Sequence, residues 1–136
     1  MAEDYGKVRS QIMALASKKV DLGFIFHKVT MNDDDPRYDA IIETLIRLSD
    51  VRKVAKMLID GLYIRALIET IPILKRNGMP ADEVLGMTNQ YVLNNDGIIN
   101  VLIGAGANPK LLFSKIDEEM QTRHFADLFM TEQIAV

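Results

Sequence analysis

The chain contains no cysteine, which excludes disulfides and thiolate metal ligands and fits a reducing compartment. It has only two histidines, His27 and His124, placed far apart in the sequence. No stretch approaches the ~18–20 uninterrupted apolar residues of a membrane span. The opening MAEDYGKVRS begins with acidic residues and lacks a following apolar run, so a secretory signal is not expected. Low-complexity stretches and recognisable linkers are missing as well. A cytoplasmic protein without membrane contact is the expectation.

Local catalytic signatures are also lacking. The sequence holds no G-x-S-x-G elbow, no H-E-x-x-H helix and no G-x-x-x-x-G-K-[ST] loop. Ser10, Ser17, Ser49 and Ser114 sit in contexts that imply no neighbouring base. No catalytic residue, metal ligand or cofactor is assigned, and the expectation is a non-enzyme. Catalysis would require a site assembled from residues distant in sequence.

What is present is an ordinary globular balance: 136 residues, 49% apolar and 26% charged. That length suits one domain, residues 1–136, burying roughly two thirds of its unfolded surface. The net charge of −3 is unevenly spread: residues 1–46 carry −2, residues 47–76 carry +4 and residues 77–136 carry −5. A basic middle beside an acidic C-terminal part can bind a charged partner, and the two can equally bind each other.

The apolar spacing is helical almost throughout. Tyr5, Val8, Ile12 and Leu15 step by three and four, as do Tyr38, Ile41, Ile42, Leu45 and Ile46 after an Asp35-Pro36 start. Ser49 is a candidate cap for the stripe Val51, Val54, Ala55, Leu58 and Ile59, with Gly61 as a left-handed end or an internal residue. Leu62–Ile71 continues in helical spacing up to Pro72, which kinks the helix or starts a turn. Pro80 opens a helix to about Leu93, with Asp82 and Glu83 favouring its dipole, and Asn94-Asn95-Asp96-Gly97 reads as a turn cluster. Only GFIFHKVTM, residues 23–31, loses the period; its aromatic and β-branched content suits a short strand or a buried bend between helices. The sum is an all-α, single-domain irregular helical bundle or helical-hairpin array of six to seven helices.

The stretch INVLIGAGANP, residues 99–109, raises the question of a dinucleotide turn, since Gly104 and Gly106 supply the first two glycines of G-x-G-x-x-G. The third position is Pro109, and residues 110–136 read as helix with no second strand. Punctuation explains it better: Gly106 ends one helix, and Asn108-Pro109 is a cap followed by a first helical residue. LIGAGANP also resembles the end of an ankyrin repeat, over about a dozen residues. The upstream Thr-Pro-Leu-His-like turn of such repeats is missing from LGMTNQYVL, and ILKRNGMPAD does not sit one ankyrin period earlier. No ankyrin function is carried over.

Other polar clusters have plain readings. His27 precedes Asp33-Asp34-Asp35, yet the alternating ligands, central glycine and closing glutamate of a calcium loop do not follow, so a solvated loop and helix cap are expected. Asp117-Glu118-Glu119 would spread over about 200° of a helix and reads as a solvated face. Met57, Met79, Met87, Met120 and Met130 fall at or near apolar faces, as core filler or as a pliable groove.

Two surfaces stand out. Arg52, Lys53 and Lys56 oppose Val54 and Leu58, with Arg47 one turn earlier, forming a basic helix 47–56. Phe125, Leu128 and Phe129 lie near the chain end, where they either fold back on the domain or form a homo-oligomer contact; Ile134 extends their apolar content. The function expected is a small non-catalytic interaction protein, regulatory or architectural, binding a protein partner through these residues. Nucleic-acid binding by helix 47–56 is the alternative. A small accessory protein of a phage or of a bacterial regulatory system would suit either.

Overall fold

The computed structural model describes residues 2–30 and 37–130, with side chains described from Gly6 to Phe129. Among them the secondary structure is entirely helical: α1 (Ala2–Ala16), α2 (Leu22–Val29), α3 (Tyr38–Leu48), α4 (Val51–Asp60), α5 (Ile64–Arg76), α6 (Ala81–Met87), α7 (Gln90–Leu93), α8 (Asp96–Gly104), α9 (Pro109–Lys115), α10 (Glu118–Phe125) and a π-helical turn, Ala126–Met130. Ten α-helices replace the six or seven expected. Two of the extra breaks come from short polar caps: Asn89 and Asp117 each turn a side-chain oxygen onto the backbone N–H three residues on, as Asn95 does at the turn already expected before α8. The helix expected from Pro80 to Leu93 is thereby split, and so is the long one expected from Pro109.

The helices pack as hairpins in two rows. In one row α1 packs on α3, α3 on α5 and α5 on α8; in the other α2 packs on α4 and α4 on α6. Asn108 N donates to Asp82 Oδ1 at 2.6 Å and Lys115 Nζ to the Leu85 carbonyl at 2.9 Å, tying α9 alongside α6. A single apolar core runs between the rows, from Val8 and Ile12 to Met120 and Leu128. Tyr5, the first residue of the expected stripe, has its side chain outside the described residues, as do the Asp35-Pro36 start, Asp33-Asp34-Asp35 and Ile134.

Three helix ends share one device. After α4, α5 and α8 the residues Leu62, Gly78 and Gly106 take positive φ (57°, 95° and 96°). In each case the following amide bonds back five residues: Tyr63 to Leu58, Met79 to Leu74 and Ala107 to Leu102. These are Schellman ends, which absorb orphan carbonyls of the last turn. Gly106 and the Asn108-Pro109 start behave as the sequence indicates. Gly61 does not: it stays right-handed, with φ −82°, and the left-handed seat falls to Leu62. Gly61 serves close approach instead, since a Cβ there would lie 2.5 Å from the Tyr63 ring.

The Gly78 and Gly106 ends stand 28 positions apart, as do the caps Pro80 and Asn108 and the caps Asn89 and Asp117. The second half of the chain thus repeats one helix-end, helix, cap unit at a step that the ankyrin comparison did not reveal.

Residues 23–31 required correction. They form neither strand nor bend up to Val29: α2 starts under an Asp21 cap whose carboxylate accepts from Phe24 N at 2.7 Å. Packing overrides the β-leaning composition, because Phe26 is buried between Tyr38 and Tyr63, with ring centroids 6.1 and 4.9 Å away. α5 runs unbroken through Pro72, which occupies an exposed position, so the missing backbone bond falls on the solvent side.

Candidate functional site

The basic run 47–56 is not one helix. Asp50, rather than Ser49, caps α4 by accepting from Lys53 N at 2.9 Å, while the Ser49 hydroxyl donates back to the Leu45 carbonyl. Arg47 therefore ends α3, and Arg52, Lys53 and Lys56 stand on the exposed face of α4. Arg52 donates from Nε and Nη2, along one edge of its guanidinium, to the two carboxylate oxygens of Glu83 of α6, which raises the arginine pKa and lowers that of Glu83. Lys56 bonds Asp60 at 2.9 Å. At the other end of the basic middle, Arg76 bonds Glu43 at 2.9 Å and holds its carboxyl below the ordinary range, helped by Asn77 and the charge of Arg47. The uneven charge is thus partly answered inside the molecule, across helices.

The C-terminal aromatics divide. Leu128 is fully buried and Phe129 packs on the core, its ring 4.6 Å from Phe113 in an edge arrangement. Both have folded back. Phe125 belongs to the same cluster, 5.1 Å from Phe129 and 6.4 Å from Phe113, yet remains 53% exposed. Among the described residues Tyr91 on α7 is the most exposed large hydrophobic side chain, at 86%. The methionines split likewise: Met79 and Met120 are buried, Met57 half-buried and Met87 exposed, while the Met130 side chain lies outside the described residues.

His124, which no sequence pattern picked out, is the only buried imidazole among the described residues. Its Nε2 lies 2.6 Å from Asp96 Oδ1 and its Nδ1 3.3 Å from Asp127 Oδ2. Arg123 joins Asp96 to Glu119, and Asp96 is held below the usual carboxylate range first by its bond with His124 and then by the Arg123 charge. The sequence signal was hidden because Asp96 lies 28 positions away, inside a cluster that reads as a turn. With both ring nitrogens engaged, His124 has no free position from which to take a proton from a substrate.

Asp117 is exposed, as expected of a solvated face, and in addition caps α10 by accepting from Met120 N and exchanges two bonds with Asn94, at 2.9 and 3.3 Å. Glu118 and Glu119 are exposed, and so is His27 on α2. Among the described residues no group of three His, Asp or Glu side chains forms a metal cage, and no helix is long and apolar enough to cross a membrane. The groove between α1 and α3, about 230 Å³, is open and lined by Arg9, Asp39, Ala40, Glu43, Thr44 and Arg47. Compared with known proteins, the chain matches no family model, no curated protein and no solved structure.

Proposed function

We propose that the protein is a small non-catalytic interaction module, cytoplasmic and regulatory or architectural in role, that engages a protein partner through its exposed surface. The observation that carries this reading is Phe125, an aromatic side chain steadied by Phe113 and Phe129 but half open to solvent. A rigid aromatic anchor of this kind buries a large area at little entropic cost, which is how interface hot spots work. Of the other residues first assigned to partner binding, Leu128 is taken up by the core, whereas Lys53 and Lys56 remain on the surface.

The nucleic-acid alternative rests on α4. The pairing of Arg52 with Glu83 and of Lys56 with Asp60 makes it the weaker reading, since phosphates would have to displace those carboxylates. A homo-oligomer built on Phe125 is a special case of the first.

The test compares the wild type with Phe125→Asp and with Lys53→Glu/Lys56→Glu, using capture of partners from the native host, light scattering, and binding to random duplex and single strands at two salt concentrations. Loss of a captured partner, or a drop in assembly mass, in Phe125→Asp at unchanged melting temperature supports the proposal. Salt-sensitive nucleic-acid binding that the double lysine variant abolishes would replace it with the alternative.

A further inference from the structure

The two rows of helices have two ends. At the first end α1 packs chiefly on α3 and α2, and α2 on α1 and α4. At the other end α10 joins α8 through the bonds of His124 and Arg123 with Asp96, while α9 lies alongside α6. In an array whose units contact mainly their neighbours, the terminal units stay soluble by presenting polar outer faces. Here both ends expose large apolar side chains: Met13 on α1 and Phe24 on α2, Leu111 on α9 and Phe125 on α10.

The ends differ in the sign of their charge. From Gly6 to Thr30 the exposed cations Lys7, Arg9, Lys18, Lys19 and Lys28 stand against one carboxylate, Asp21, which caps α2. On α1 the exposed face that carries Met13 also holds a shallow open hollow of about 690 Å³, lined by Gly6, Lys7, Ser10 and Gln11. From Ile116 to Phe129 the order is reversed: Asp117, Glu118, Glu119 and Asp127 are exposed, and the one arginine, Arg123, is drawn to Asp96 and Glu119. Glu118 precedes Phe125 by seven residues, which puts the carboxylate on the same helix face two turns away. On α9 Lys115 is held by the Leu85 carbonyl and Lys110 is exposed, so the opposite charges meet along the row that begins with α1 and ends with α10.

We propose that copies of this chain stack head to tail, with α9 and α10 of one copy lying against α1 and α2 of the next, so that both rows continue across the junction. This rests on the reading of Phe125 as a binding anchor and names its partner as a second copy. Phe125 and Leu111 bury against the face that carries Met13 and Phe24, while Glu118 meets the cations of α1. The two surfaces joined are different, so each assembly keeps one open head and one open tail, and growth continues unless the rotation closes a ring. An end face only two helices wide places the contact at the small end of specific interfaces, below about 1,200 Å² in total, so assembly depends on concentration. Opposite charges across it make assembly weaken as salt rises.

Sedimentation and light scattering of the full chain from about 10 μM to 1 mM, a range that spans weak affinities, test this at low and high salt. The expected result is a mass that climbs with concentration past that of a dimer and falls back at high salt. Met13→Glu places a carboxylate in the head, and Phe125→Lys places a cation in the tail; each alone should stay monomeric. Mixed, the intact tail of the first meets the intact head of the second, and a one-to-one pair that cannot grow should form. If Phe125→Lys lowers the melting temperature, Glu118→Lys serves as the tail variant. A wild type that is monomeric throughout overturns the stacking, and capture of another protein that depends on Phe125 would then leave the partner reading standing. A Met13→Glu protein that assembles like the wild type also overturns it, since tail would then be meeting tail. So does a mixture that yields no pair.

Discussion

In α3, α4 and α5 the inward side chains are sealed: Ile41, Ile42, Leu45, Val54, Leu58, Leu67 and Leu74 have no exposed surface. The C-terminal segment is built differently. α10 buries only Met120 and His124, and the segment is held by Leu128, an aromatic cluster with one open ring, and polar bonds to α7 and α8 through Asp117, Arg123 and His124. Apolar burial is non-directional and tolerant of pH, whereas the polar bonds depend on charge state and on a few atoms. One chain thus combines a region with a global stability and a region that can open locally.

The largest expected effect separates the two. Leu67→Ala removes a fully buried side chain from the centre of the array and should cost about 2–5 kcal/mol, seen as a lower melting temperature of the whole protein. Leu128→Ala, equally buried, should act mainly on residues 118–130, with faster hydrogen exchange there and a smaller shift in melting temperature. Equal global losses from both would erase the distinction.

Next is Gly61→Ala. The new methyl would meet the Tyr63 ring and the Met57 carbonyl, so a loss of about 1–3 kcal/mol is expected in chemical denaturation. Asp117→Ala removes the α10 cap and should cost about 1 kcal/mol, confined to the C-terminal segment in exchange measurements. In the opposite direction, Leu62→Gly relieves a left-handed leucine that is largely exposed, and should raise stability by up to about 1 kcal/mol. The smallest effect concerns Glu43, whose folded pKa is lowered by Arg76. Its contribution is present above the ordinary carboxylate range and is lost as the pH falls through the lowered value. Glu43→Gln should therefore flatten the acid side of the stability curve by less than about 1 kcal/mol, because the pair is partly exposed.

The readable parts of the sequence were those where local chemistry and packing agree. The stripe Val51, Val54, Ala55, Leu58 and Ile59 is buried as its spacing requires, and the Gly106 end and Asn108-Pro109 start are as written. Misreadings occurred where a local signal was outweighed or shared. The aromatic and β-branched residues of 23–31 suit extended chain or a bend when taken alone, but the Asp21 cap and the packing of Phe26 between Tyr38 and Tyr63 make them helical. Asn89 lies within a span that reads as one helix, Asn95 within a turn cluster and Asp117 within a solvent-facing run, yet each caps a helix. Leu62 took a conformation that its neighbour Gly61 seemed made for. The clasp around His124 joins positions with no sequence proximity, and no periodicity records it.

The 28-position step between equivalent helix ends has a consequence for how such a chain can change over time. A unit whose contacts are mostly with its immediate neighbours can be copied or lost whole, because the joint it leaves behind matches the joint it was cut from. Lengthening by duplication would then add surface in fixed increments while old surface kept its shape.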